Sequence, residues 1–532
     1  MAGLVGRHAL PEPGGREDEG VGNCLRNRRE GVRRLVVATC PQQCERLVQQ
    51  HRRVRGRGGD RGSRRGRRGR DHLRGRGRRV GSRGLIAPAG RHGQGRENGR
   101  KRAALHDAQR PGGGPVASGL HPIDARPVLA GGSKPRPGKG SGVTPNSPGS
   151  ASPTLAEATK ALNAWFEIDL DALATNVRVL RETASPATVI AVVKANAYGH
   201  GIEVVGPALE AAGIERLAVI FLPEALPLRE AGVTRPVLVL GHSFPEDAEV
   251  AVANDLTLTV DTPALADAVS EAALRAGKAP VPVHIKVDSG MHRFGLMPPE
   301  VAALADHVRT LKGVTLEAIW THLANADHED DSFTTHQDAV VAEAVRLAGP
   351  VPMRHIANTA TTIRHPEFRY EGVRTGIGIY GALPDHTPNP GLRPVLSMKA
   401  RLARVFNVAP GEGVSYGLTW RAERPSRIAL IPIGYADGYQ RALSNRGQVL
   451  ARGRRCPIVG RVCMDHFLID VTDVPGAATG DEAVLIGEQG GDEITAAEVA
   501  AHIDTINYEV LASLNRRLPR LAHREGIVEA TC

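Results

Sequence analysis

Eight short apolar runs recur through the middle of the chain: Thr188 to Val193, Leu217 to Leu222, Pro236 to Leu240, Leu256 to Val260, Val281 to Val287, Thr315 to Trp320, Met353 to Ile356 and Gly372 to Ile379. Nearly continuous apolar runs of this length suit strands covered on both faces, and the helical spacing between them suits β-α units around a parallel sheet. One such stretch, Pro263 to Ala276, sets Leu265, Ala268, Val269, Ala272 and Leu274 roughly on one face and stops at Gly277. Eight units between Leu162 and about Val395 predict an α/β fold built on an eight-stranded β/α barrel. A dinucleotide-binding sheet is disfavoured, because no Gly-x-Gly-x-x-Gly follows the first run.

Polar residues stand where such a barrel carries its chemistry. Lys194, His242, Asp261, Lys286, Arg293, His322, Asn358, Thr359 and Arg374 lie at or just past the carboxyl ends of the runs. Singly, each also fits the ordinary polarity of exposed strand ends. Lys194 ends a buried run, so partial desolvation favours its neutral, nucleophilic amine; read alone it equally fits a side chain that buries its stem and keeps its head in water. Beyond residue 395 the pattern shortens and alternates, with expected strands at Arg427 to Ile433, Val449 to Ala451, Ile458 to Val462 and Glu482 to Ile486. Helices over Ala496 to Ile503 and Tyr508 to Asn515 close a second, mainly β domain.

Composition separates off the first 150 residues. They hold 33 basic and 11 acidic side chains, leaving 35 and 46 for the other 382, so the net charge of +11 averages a basic tail with an acidic body. All 18 aromatic residues lie beyond residue 150, and the tail has little apolar surface to offset the entropy of ordering it. The expected layout is a disordered Arg/Gly/Pro-rich extension over 1–158, a barrel over 159–395 and a mainly β domain over 396–532. The Arg64-Arg65-Gly66-Arg67-Arg68 tract could attract phosphate backbones, but it lacks stacking aromatics, so nucleic acid is disfavoured as a partner. Upstream coding sequence read from too early a start, with the real start at a codon such as that of Val143, accounts better for the composition. No run approaches eighteen apolar residues and Leu35 to Ala38 is too short for a secretory core, so a cytoplasmic location without a membrane partner is expected. Cys24, Cys40, Cys44, Cys456, Cys463 and Cys532 form no paired framework, and no metal site is expected.

The octapeptide Lys194-Ala195-Asn196-Ala197-Tyr198-Gly199-His200-Gly201 resembles the pyridoxal-phosphate-binding signature of the alanine racemase family. Further motifs follow in that family's order: Lys286 to Gly295, Thr321-His322-Leu323-Ala324, His355 to Thr359, Val373 to Ile377, Gly413 to Gly417, Gly434 to Tyr439, Val459 to Asp465 and Thr505 to Val510. The resemblance covers residues from about 160 to the end. It implies a homodimer with shared sites that interconverts L- and D-alanine and supplies D-alanine for peptidoglycan.

By that resemblance Lys194 is the covalent attachment point of pyridoxal phosphate and the base for one face of the substrate Cα, while Tyr416 of a second subunit serves the other. A phenol with an ordinary pKa of about 10 needs cationic or hydrogen-bonding support, which His322 and Arg374 would supply. Arg374 would face the pyridine nitrogen and, as a permanent cation, keep it unprotonated. The phosphate falls to Tyr198, Thr359, the amides of Gly376 and Ile377, and Tyr508; Asn358 belongs to the same cofactor-binding set. Arg293 would bind the cofactor's phenolic oxygen and the substrate carboxylate, and the amide of Met464 from the partner would add a second carboxylate contact. Lys286 matches a lysine that many relatives carbamylate to position the arginine, and Tyr435 and Asp465 would narrow the entrance. The alternatives are a broader racemase, a decarboxylase, for which an acid is expected in place of Arg374, and a non-catalytic pyridoxal-phosphate carrier, which lacks a second domain.

Overall fold

A computed structural model describes residues 152–532. The expected extension lies outside the described residues up to 151, as do Val143, the Arg/Gly tract and the first three cysteines. Its last residues are ordered: Thr154 caps a short helix, Leu155–Thr159, through a reciprocal capping box with Glu157. The folded part therefore begins ahead of residue 159, because this cap and the bridge from Thr154 to Ile527 tie the segment down.

Strand β1 (Ala164–Asp169) leads into the helix Leu170–Ala184, whose N-terminal amides at Asp171 and Ala172 are capped by Asp169 Oδ1 at 2.9 and 2.8 Å. The eight apolar runs then form eight strands: β2 (Thr188–Val192), β3 (Arg216–Val219), β4 (Val237–Val239), β5 (Leu256–Val260), β6 (Val281–Lys286), β7 (Val314–Trp320), β8 (Met353–His355) and β9 (Gly372–Thr375). Each pairs in parallel with the next from β2 to β8, and β2 pairs with β9, Ile190 standing opposite Arg374. The remaining gap is bridged where the Arg374 N–H donates to Ala357 O at 2.9 Å, so the sheet is a nearly closed barrel. Helices return the chain between successive strands. In Pro263–Ala276, capped by Thr262 and stopped by Gly277 at φ 67°, the buried stripe is Leu265, Ala266, Val269, Ser270, Ala272 and Ala273. Leu274 is exposed, since nine residues from Leu265 at about 100° each put it on the opposite side.

β1 does not join the barrel. It pairs antiparallel with β10 (Leu396–Arg401), Trp165 opposite Lys399, and parallel with Arg520–Arg524, Phe166 opposite Arg520. The first strand thus lies inside the sheet of the C-terminal β domain, and a cut of the chain at residue 395 does not separate the two. Both faces of β1 are buried, which is also what a barrel strand looks like from its sequence. In that domain Ser426–Ile431, Gln448–Ala451 and Glu482–Gln489 are strands, as expected. Ile458 to Val462 is not a strand: the chain turns at Gly460 with φ 78°, where a Cβ would meet Val414 O at 2.9 Å. The closing helices are shorter than expected, Ala496–Ala501 and Asn507–Ala512.

Candidate active site

At the carboxyl end of the barrel, Lys194 follows β2 by two residues and begins a turn of unusual hand. Ala195, Asn196, Ala197 and Tyr198 all have φ between 51° and 56°, a left-handed turn made without glycine. Such a turn costs about 1–2 kcal/mol per residue and persists only where its surroundings hold it. Here Glu224 Oε1 accepts from the Ala195 N–H at 2.7 Å, and Asn196 Oδ1 accepts from the Ile202 N–H at 3.0 Å and from Arg516 Nη2 at 2.8 Å. The Lys194 pKa is lowered, mainly by burial and then by the charge of Arg293, with Glu224 opposing and Arg374 adding to the effect.

Lys194 opens into a cavity of about 130 Å³. All ten residues expected to bind the cofactor line it: Lys194, Tyr198, Arg293, His322, Asn358, Thr359, Arg374, Gly376, Ile377 and Tyr508. Val192, Ile220, Leu240, Phe294 and Trp320, which sequence reasoning did not assign, form its apolar wall. Their signal was their place at or near the ends of the runs and in the motif Lys286 to Gly295. Glu224 carried no such signal.

One end of the cavity gathers hydrogen-bonding groups in a cradle. Thr359 Oγ1 accepts from the Gly376 N–H at 3.1 Å and from the Gly378 N–H at 3.4 Å, which leaves its own proton to donate. The Gly376 amide is thus already bonded to Thr359, whereas Ile377 opens a 3₁₀ turn, Ile377–Tyr380, that offers its N–H no acceptor. Burial, then the charge of Glu224, raises the Tyr198 pKa, and burial, then Tyr198, raises that of Tyr508; both remain neutral donors. A Cβ on Gly376 would meet Tyr198 Oη at 2.5 Å, so only glycine lets the phenol close the cradle. Asn358 differs from expectation in part: its Oδ1 caps the helix Thr359–Arg364 by accepting from the Thr361 N–H at 3.0 Å.

The other end holds Arg374, 3% exposed. Nη1 donates to His355 O and to His355 Nδ1, the latter at 2.9 Å; Nη2 donates to Thr321 O at 2.6 Å, to Ile356 O at 3.3 Å and to His322 Nδ1 at 3.3 Å. Burial lowers its pKa to about 9, which leaves it cationic at neutral pH. Burial, followed by Arg374, holds His322 neutral. Because its Nδ1 accepts from Arg374, its remaining proton is on Nε2. Lys286 lies behind the cavity, its Nζ donating to Phe294 O and sitting 4.4 Å from the Phe294 ring centre. Arg293 is exposed at the mouth.

Five expected residues stand apart from this cavity. Besides Lys286, Tyr416 is 76% exposed beside a separate hollow with Ser415, Cys463 and His466, and Met464 and Tyr435 are also exposed. Asp465 pairs with Arg517 at 2.7 Å. Lys194 and Tyr416 thus occupy different pockets of the same chain.

A cavity holding a lysine and a buried arginine on the carboxyl face of a β/α barrel, joined to a β domain whose sheet takes in β1 and the C-terminal strands, is the build of a barrel-fold enzyme with an accessory β domain. The pattern described as the N-terminal domain of alanine racemase matches residues 168–384, and that of the C-terminal domain matches residues 395–522. The alanine racemase of Desulfovibrio desulfuricans is 44% identical over 67% of this chain and 97% of its own length, and that of Methanococcus maripaludis is 40% identical over 67% and 98%. The solved alanine racemase of Bacillus anthracis, with bound L-Ala-P, superposes with a TM-score of 0.65 at 38% identity over 70% of this chain and 97% of that one. The chain belongs to the alanine racemase family.

Proposed function

We propose that the chain interconverts L- and D-alanine and that the cavity at Lys194 is the pyridoxal-phosphate half of a site completed by a second copy. The observation that carries this reading is that one cavity joins a desolvated lysine, a donor-lined anion cradle and a buried guanidinium. These residues fit the cofactor: Tyr198, Tyr508, Thr359 and the Ile377 amide can donate to its phosphate, and the missing Cβ of Gly376 leaves the Tyr198 phenol room to stand beside the other donors. When bound through Lys194, the cofactor supplies an electron-withdrawing ring that acidifies the Cα proton of an attached amino acid.

The Lys194 amine, lowered in pKa, holds or takes that proton on one face. Tyr416 of the second copy acts on the other, beside His322, whose Nε2–H is free to donate. Arg374 can donate but not accept, so it would hold a ring nitrogen without protonating it; this keeps electron withdrawal modest and favours return of the proton over transamination. Arg293 takes the substrate carboxylate at the mouth. Met464, through its amide, adds to that contact from the second copy, and Tyr435 and Asp465 narrow the entrance. Lys286, once carbamylated to an anion, would support Arg293. The exposed apolar side chains of Tyr416, Leu418, Tyr435 and Met464 support a homodimer that covers them. Among the described residues no helix is long and apolar enough to cross a membrane. We assign the chain to the cytoplasm, where its D-alanine would feed peptidoglycan. In heavy water, each alanine enantiomer should gain deuterium at Cα as it racemises. Release of carbon dioxide, or no exchange at all, would sink this function.

A further inference from the structure

Behind Arg374 the hydrogen bonds continue into the barrel along a chain that the proposed reaction does not use. Glu317, in the middle of β7, accepts from Arg216, at the start of β3, through two bonds of 2.7 Å. β3 and β7 lie four strands apart in the eight-stranded sheet, so this pair reaches across its interior. Glu317 Oε2 also stands 2.9 Å from His284 Nε2. His284 Nδ1 stands 3.0 Å from His355 Nε2, and His355 Nδ1 accepts from Arg374 Nη1. His284 is 1% exposed and His355 0%.

The chemistry of the two ends fixes every proton between them. Burial raises the Glu317 pKa, but the hydrogen bonds from His284 and Arg216 outweigh it and leave the carboxyl at about 2, so it is an acceptor only. His284 must then carry its hydrogen on Nε2. Burial is the leading cause that lowers the pKa of both imidazoles, which keeps them neutral. His284 Nδ1 is therefore bare and accepts from the His355 Nε2–H, and His355 Nδ1 is bare where Arg374, a donor only, meets it. Every proton points towards Glu317. The opposite tautomers would set an N–H of His355 against an N–H of Arg374. All five direct partners of Arg374 are uncharged, so Glu317 is the carboxylate at the end of its chain, and aligned hydrogen bonds of this kind polarise one another.

We propose that Glu317 is a positioning residue of the active site, one that sets the tautomers of His284 and His355 and through them holds the Arg374 guanidinium in place. The link to catalysis rests on the reading above, in which Arg374 serves the cofactor's ring nitrogen; the proton positions do not. Neutron diffraction from the full-length, cofactor-loaded protein crystallised in heavy water should show deuterium on Nε2, and none on Nδ1, of both His284 and His355. Deuterium on Nδ1 of either ring would overturn the proposal without any variant. In Glu317→Met the acceptor is gone and Arg216 is left as a donor facing His284, so the His355 deuterium should move to Nδ1 and Arg374 Nη1 should leave it. Glu317→Gln can still offer an amide oxygen to His284 and should keep the native arrangement. Unchanged tautomers and an unmoved Arg374 in Glu317→Met would refute the role of Glu317. With ring-labelled cofactor, the pyridine ¹⁵N shift should move in Glu317→Met and not in Glu317→Gln, with kcat about 10- to 100-fold lower in the former, the usual weight of an orienting partner. If the tautomers reverse while the ¹⁵N shift stays, the proton chain stands and the reading of Arg374 as the ring-nitrogen donor falls.

Discussion

Lys194 and Tyr416, the two bases proposed for opposite faces of one carbon, sit in surroundings that differ in nearly every physical respect. Around Lys194 the side chains other than Arg293 are buried or half-buried, the charges are mostly positive, and the backbone is held in a left-handed turn by Glu224 and Asn196. Around Tyr416 the phenol is 76% exposed and Leu418 and Met464 are at least half exposed, while Ser415 Oγ fixes the loop by donating to Arg461 O at 2.8 Å. The first region is organised within one chain and, in the proposed function, would receive the cofactor. The second, in the same proposal, would act on a surface that another molecule supplies. A dimer of the proposed kind joins the finished half of one chain to the waiting half of the other, so each site needs both chains.

The largest effect expected from breaking this pairing is at the finished half. Lys194→Ala should lower turnover about a thousandfold or more and remove the visible absorbance of the lysine-bound cofactor. An active variant that keeps that absorbance would end the assignment of Lys194. Tyr416→Phe should leave cofactor loading intact and lower turnover by about 10²- to 10⁴-fold, the range of a single general acid or base. Its effect should fall harder on removal of the Cα proton from L-alanine than from D-alanine, as judged by exchange in heavy water. Mixing the two inactive variants sharpens the comparison. With free subunit exchange about half the dimers are hybrids, each with one intact site, so up to about a quarter of native activity should return. No recovery after demonstrated exchange would mean that both bases come from one chain.

The halves also differ in how far they were legible in the sequence. The eight barrel strands were readable because strands buried on both faces are continuous apolar runs; Lys194, Arg293, His322, Asn358, Thr359 and Arg374 stood out as polar residues at the ends of those runs, whereas Tyr198, Gly376, Ile377 and Tyr508 were assigned by resemblance to a family. β1 was not: its apolar pattern fits a barrel strand as well as the β-domain sheet that it joins, and local pattern holds no record of which partner it meets. Ile458 to Val462 reads as a strand until Gly460 turns it. His284 and Glu317 lie within strands, where a polar residue gives no sign of facing another across a barrel. Lys194-Ala195-Asn196-Ala197-Tyr198 contains residues common in ordinary helices, so the hand of its turn was hidden. Tyr416 was found by resemblance to a family alone, since no residue near it in the sequence is part of its chemistry.

The turn gives a prediction of middle size, confined to the finished half. Asn196 occupies the left-handed region at φ 56° and its carboxamide bonds both the Ile202 amide and Arg516. Asn196→Val puts a β-branched residue in that region and removes both bonds, so it should destabilise the folded protein by about 2–3 kcal/mol and weaken cofactor retention. Asn196→Gly, which tolerates the backbone but not the bonds, should fall between the two. Equal denaturation midpoints for valine and asparagine would show that the turn is not under strain.

The smallest effect concerns Lys286, and its pH dependence separates the cost of a buried charge from the benefit of packing. The side chain is 1% exposed, and burial pulls its pKa down from 10.5 to about 8, with Asp288 opposing and Arg293 and Arg374 assisting. Below about pH 8 the amine is charged in both folded and unfolded protein, so the folded state bears the full cost of burying it. From about 8 up to the unfolded value the folded protein has given up a proton that the unfolded chain still holds, and stability rises with pH relative to a protein without the amine. Lys286→Met should therefore show its greatest advantage, or smallest deficit, at neutral pH, and lose ground through that window. Removing the hydrogen bond to Phe294 O and the amine's place over the Phe294 and Trp320 rings shifts stability by an amount that does not depend on pH in this way, so the slope carries the test. The measurement is thermal unfolding of both proteins in buffers free of carbon dioxide, since a carbamylated Lys286 would be an anion. A difference in Tm that is flat across the window would mean that the Lys286 amine titrates at its ordinary value in the fold.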